Sequence, residues 1–246
     1  KIVSYMLVMV MAVSLFGQVA VNGAFDGTGK QAGTGVIAGL SQVEAASDTS
    51  IDYKAALKET SVAIEKKLTT YKVEVADETG GTSVVDWYGP ANASIGGEWA
   101  VIGESRYGRK NVLWYRAYYE NLVRVLQAAG EAQASADGTT TGGSAKTVPL
   151  KLDSRKGTEN SRAILALTAM GIDASNVEGY DLTAALSDMT YVKKQGLNGP
   201  IWALIALDCH GYDIPQCAEG GEQTTRAGLV AEILTSQCSD GGWTLA

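Results

Sequence analysis

The residues of this sequence whose types suit chemistry are few and scattered. Asp208, Cys209 and His210 stand in a row, and carboxylate, thiolate and imidazole are the donors that hold zinc. Three consecutive helical residues point about 100° apart, so they do not converge on one ion without unwinding the helix. His210 is the sole histidine and precedes Gly211, where a cationic side chain suits the carbonyl-rich end of a helix. No metal site is expected. One histidine beside no serine motif makes no nucleophilic triad, and no G-x-x-x-x-G-K-[ST] phosphate loop occurs. Glu159 and Arg162 are spaced for a cap and ion pair in the first turn of an Ala/Leu-rich helix. Glu98, Trp99, Asn198 and Trp202 take comparable early positions on two other apolar helices, and Asp208 is a lone carboxylate near the end of one. Aromatic rings beside a few polar groups are the usual lining of a ligand pocket; the same tryptophans would equally fill a core. These seven residues are pocket candidates, and no catalytic residue is assigned.

The elements that would position them are helical. Ile51, Ala55, Leu57, Val62, Ile64 and Leu68 recur at helical spacing, predicting one amphipathic helix over Thr49 to Lys72 with Asp48 or Ser50 as its cap. Val73 to Ala93 reads as a loop broken by Gly80-Gly81 and Gly89-Pro90. A short apolar helix opens at Gly97, and a second runs from Asn111 to Ala129 with Gly130 as its stop. Residues 131–147 turn to Ala, Ser, Thr and Gly, a low-complexity insertion unable to bury a core. The rhythm then resumes. Thr158 to Met170 ends at Gly171 and Asn198 to His210 ends at Gly211, with more polar helices predicted over Leu182 to Lys194 and Gln223 to Gln237. Gly130, Gly171 and Gly211 recur every 40 residues or so, the period of a helical-hairpin repeat. Helices poor in charge alternate with amphipathic ones, which implies an inner and an outer layer.

Composition sets bounds on function. Of 246 residues, 46% are hydrophobic and 19% charged, as in an ordinary globular protein. A net charge of −7 without a basic cluster argues against a nucleic-acid surface. Tyr5 to Phe16 is an apolar run of signal-peptide length, too short to span a bilayer. Residues 1–24 are therefore expected to be a signal peptide or N-terminal anchor, 25–47 a flexible spacer, and 48–246 one domain outside the membrane. The opening Lys1 and the ending Ala246, just past Gly241-Gly242-Trp243, suggest a partial chain. Cys209, Cys217 and Cys238 make no disulfide framework; Cys209 and Cys217 are near enough for a bridge, and plain buried thiols are the simpler reading.

Gln237-Cys238-Ser239-Asp240-Gly241-Gly242-Trp243 resembles the QW motif of terpene cyclases, in which a glutamine at a helix end binds loop backbone below a tryptophan. Gly96-Gly97-Glu98-Trp99 is a related fragment. The stretches Gly196 to Asp208 and Thr158 to Gly171 resemble the inner helices of secreted bacterial proteins with prenyltransferase/squalene-oxidase repeats. The resemblance covers about Thr49 to Ala246. It implies an all-α fold, an α/α toroid with inner and outer helix layers, of which this chain would hold about three and a half of six hairpins. Gln237, Gly241 and Trp243 would be its structural motif. Cyclases of this kind protonate an alkene with a D-x-D-D motif, and none occurs here. The resemblance thus implies an extracellular or cell-surface module that binds a small molecule or surface component without catalysis, a corrinoid-type ligand being one it suggests. A terpene cyclase or prenyltransferase with its acid motif beyond Ala246 is the competing reading, and a structural wall-associated module the third.

Overall fold

The computed structural model describes residues 52–76, 80–92, 95–136 and 149–244. The leader over 1–24, the spacer over 25–47, the caps Asp48 and Ser50 and residues 137–147 of the insertion lie outside the described residues. The chain divides into Lys1–Asp52 and Tyr53–Ala246, and every described helix and strand belongs to the second unit.

That unit is mostly helical, with seven α-helices and one two-stranded sheet among the described residues. Helix α1 spans Tyr53–Lys67 and stops short of the expected Lys72. The loop expected over Val73 to Ala93 is corrected to a β-hairpin. Strands β1 (Thr70–Ala76) and β2 (Thr82–Tyr88) run antiparallel in the register Thr70 to Tyr88 and Ala76 to Thr82. Tyr71, Val73 and Val75 alternate with Lys72 and Glu74, the period of a half-buried strand. The Gly80-Gly81 pair read as a helix breaker lies in the hairpin connection.

Helix α2 spans Ile95–Tyr107 and α3 spans Val112–Ala136. Gly130 does not stop α3, which runs six residues into the expected insertion. A Cβ at Gly130 would meet the Tyr180 ring at 3.2 Å, so this glycine is there for close approach. The stop that belongs to the series is Gly108, at φ +82° like Gly171 at +80° and Gly211 at +68°. Helix α4 is Gly157–Ala169. The polar helix expected over Leu182 to Lys194 is broken into a 3-10 turn (Ala184–Ser187), a single helical turn α5 (Met189–Val192) and a second 3-10 turn (Lys193–Gln195). Asp188, in extended conformation, forces the break and caps α5 by accepting from the Thr190 amide. Helix α6 is Asn198–Asp208, and α7 is Arg226–Thr235, capped by Thr225.

Helices α2, α4 and α6 lie side by side with α4 in the middle. Counted back from Gly108, Gly171 and Gly211, their residues match: Ala100, Ala163 and Ala203 share one position, and Gly103, Ala166 and Ala206 another. The alanines at these positions are buried and let neighbouring axes approach closely, whereas Gly103 is exposed. On α3, Trp114, Tyr118, Leu122 and Leu126 form a stripe with a four-residue step and no more than 1% exposure, which is the buried face of an amphipathic helix. With Val101, Ile164, Leu167, Leu186, Leu207 and Leu229 they make the core.

Candidate functional site

The first turns of the three adjacent helices carry the sequence candidates, and the fold brings most of them together. Trp99 of α2 and Trp202 of α6 meet edge-on, with ring centroids 5.2 Å apart and planes at 63°. The pair crosses α4, whose residue at the matched position is Arg162. At the other end of the same face Arg106 and Cys209, again at matched positions, are close enough to interact. Burial pushes the Cys209 thiol up, against a hydrogen bond from Thr168 and the Arg106 charge, which pull it down. The tryptophan contact joins α2 and α6, which both pack on α4. Both rings are half-buried.

Beneath the indoles lies a charged cluster. Arg162, 6% exposed, pairs with Glu159 one turn earlier on α4 and with Glu98 of α2, its Nε 3.9 Å from Glu98 Oε2. That separation is an ion contact, too long for a hydrogen bond, and the buried Nε has no hydrogen-bond partner. Glu98 is fully buried and accepts a hydrogen bond from Tyr118 Oη at 3.2 Å. Burial, the Glu98 charge and that hydrogen bond together hold the Tyr118 phenol well above its ordinary pKa. The guanidinium is buried between the two carboxylates, where removing any member is expensive.

The remaining candidates separate from it. Asn198 is half-buried in the first turn of α6, beside the Lys193–Gln195 turn. Asp208 sits at the far end of α6, exposed, where it accepts from Arg226 Nε at 2.6 Å. Arg226 also donates to the Leu207 and Tyr212 carbonyls at 3.2 and 2.8 Å, so Asp208 belongs to the tie between α6 and α7 rather than to a pocket. Gln237 donates to the Gly241 carbonyl at 2.8 Å. Trp243 is 47% exposed, and its Nε1 donates to the Ile233 carbonyl of α7 at 2.7 Å. This motif closes its own loop. All three cysteines are free and half-buried.

Sequence reasoning missed two polar residues that matter here. Tyr118 looked like one apolar position of α3, and its hydroxyl proves to be the link to Glu98. Asn160, fully buried, accepts from the Leu152 amide at 3.0 Å and donates to the Leu150 and Leu182 carbonyls at 2.9 and 3.3 Å. It thereby fixes the chain entering α4 to the segment beyond it. A helical-spacing pattern carries no mark of either role.

A separate open groove of about 480 Å³ runs along α3, lined by Arg116, Tyr119, Glu120, Arg124, Gln127 and the turn residue Glu178. None of the sequence candidates lines it. Among the described residues no group of three His, Cys, Asp or Glu side chains is placed to hold a metal ion. No described helix is long and apolar enough to cross a membrane. The chain matches no protein-family model, no curated protein and no solved structure.

Proposed function

We propose that this chain is part of a non-catalytic α/α-toroid module that binds a small apolar molecule or surface component on the face where Trp99 and Trp202 meet. The observation that carries the reading is that edge-on pair, formed by matched residues of two helices that flank a third. Contact between next-nearest neighbours requires the layer to curve toward that face, and continued curvature of a double helix layer leads to a closed ring. Two half-buried indoles above the carboxylate–guanidinium cluster offer stacking surface with few polar groups, the composition of a small-molecule site. The cluster itself is poorly suited to acid–base chemistry, because Arg162 holds both carboxylates and Tyr118 also donates to Glu98. The resemblance to secreted repeat proteins favours a module outside the cell and makes a corrinoid-type compound the first ligand to try.

The test is a thermal melt of the protein against corrinoids, isoprenoids and prenyl diphosphates. A ligand of the native state present at 100 times its Kd adds about 2.7 kcal/mol, which raises the melting temperature of a domain this size by about 5–10 °C. The proposal expects such a shift with a corrinoid or neutral isoprenoid, abolished in Trp99→Phe/Trp202→Phe. A shift confined to prenyl diphosphates would favour an enzyme instead, and silence across the panel a structural module.

A further inference from the structure

The β1–β2 hairpin has one covered edge and one open one. The Gly89 amide donates to the Thr69 carbonyl at 2.7 Å, and this pair continues the register in which Thr70 faces Tyr88. Hydrogen-bonded pairs alternate along an antiparallel ladder. Tyr71, Val73 and Val75 therefore bond to β2, while Thr70, Lys72 and Glu74 turn their amides and carbonyls outward. Among the described residues no backbone hydrogen bond reaches those three from any other segment. The β2 edge differs, because α3 packs against that strand and Asn121 Nδ2 donates to the Tyr88 carbonyl at 2.8 Å.

An open edge is a template for another strand, and charged residues along it ordinarily discourage pairing. Here the charges do the opposite for one partner in one register. The strand reads Thr70-Tyr71-Lys72-Val73-Glu74-Val75-Ala76, and turned antiparallel upon itself about Val73 it sets Lys72 opposite Glu74 twice. Residues 72 and 74 are also the ones whose backbone groups point outward, so each such pair exchanges two main-chain hydrogen bonds. On the exposed face Lys72, already 3.1 Å from Asp86 of its own hairpin, gains a second carboxylate. On the other face Tyr71 comes opposite Val75. A parallel partner in register would instead set Lys72 against Lys72.

We infer that the open edge of β1 is a homodimer interface, joining two copies of this chain about a two-fold axis at Val73 into a four-stranded sheet. The closed symmetry is that of most soluble dimers, in which one patch meets itself. The inference is independent of the proposed ligand.

Sedimentation equilibrium on the full chain, from micromolar to millimolar, tests it by charge reversal. Like charges placed opposite each other at both symmetry-related pairs should weaken self-association about tenfold or more in Glu74→Lys and in Lys72→Glu. Mixed in equal amounts, the two variants should associate with each other, since each lysine then faces a glutamate. The double variant Lys72→Glu/Glu74→Lys should self-associate like the parent. A parent that stays monomeric throughout overturns the inference. So does a dimer that ignores both single reversals, or a pair of variants that fails to associate on mixing; circular dichroism on each variant confirms that the fold is retained.

Discussion

Helices α4 and α6 are close to the same sequence in kind, end at equivalent glycines and have opposite fates. Ten of the thirteen residues of α4 are buried, including Thr158, Glu159, Asn160, Ser161 and Arg162. Only five of the eleven residues of α6 are buried, although α6 is the more apolar helix, and Ile205 remains 43% exposed. The difference is position. α4 has α2 and α6 on its two sides and all three short turns of the 184–195 segment against it, whereas α6 lies between α4 and α7 and touches only the 189–195 part of that segment. Burial of a helix is thus set by how much of its surface the neighbours cover, and its own hydrophobicity only permits it. The polar residues of α4 are tolerated because they are partnered: Asn160 by the Leu150, Leu152 and Leu182 backbone, Ser161 by the Gly157 carbonyl, and Arg162 by Glu159 and Glu98.

The sharpest break in this comparison comes at the matched residues Arg162 and Trp202. Arg162→Met leaves Glu98 and Glu159 buried without their cation and should cost about 3–5 kcal/mol in denaturant unfolding. Trp202→Met, which removes one half-buried ring of an aromatic pair, should cost about 1–2 kcal/mol. Equal losses would mean that the cluster is wetter than its burial implies. A finer contrast is Ile164 against its counterpart Leu204. Ile164 is fully buried, and its replacement by Ala should cost about 3 kcal/mol, while Leu204→Ala, at a partly covered site, should cost about half as much. Were Leu204 the costlier, α6 would be covered in solution on its second side as well.

The smallest expected effect distinguishes the two seams by pH. The α2–α4 seam contains the Tyr118 phenol, whose pKa burial and Glu98 raise well above normal. Unfolded, a tyrosine loses its proton near pH 10. Above that pH the unfolded chain therefore binds fewer protons than the native one, and stability falls as pH rises. Tyr118→Phe should make that alkaline decline shallower in melts between neutral pH and pH 11, with Tyr71, Tyr115, Tyr119 and Tyr191, also raised mainly by burial, supplying the remainder. An unchanged slope would show that Tyr118 ionises freely in the native state.

The parts of this architecture legible in the sequence were those with local marks. α4 and α6 announced themselves by Ala/Leu content and by Gly171 and Gly211, and the early placement of Trp99 and Trp202 on their helices left a shared pocket and a core role equally open. Gly130 was read as a stop because a packing glycine and a terminating one look alike until the neighbour, here Tyr180, is known. The hairpin was legible in principle, since Tyr71-Lys72-Val73-Glu74-Val75 alternates and Gly80-Gly81 is a turn pair. Reading those glycines as helix breakers hid it. Asp208 was misassigned for another reason: its partner Arg226 lies eighteen residues away, in a loop-to-helix junction that periodicity cannot reach. Tyr118 and Asn160 act through contacts distant in the chain, and nothing local distinguishes them from neighbours.

The meeting of Trp99 and Trp202 also sets a schedule. As the chain is synthesised, the second ring emerges about a hundred residues after the first, a delay of about 5–20 s at ordinary elongation rates. Until then α2 and α3 exist with Arg162 arriving midway and the indole of Trp99 uncovered. Synthesis thus makes the Glu98–Arg162 ion contact available before the Trp99–Trp202 contact, and the Asp208–Arg226 tie after both.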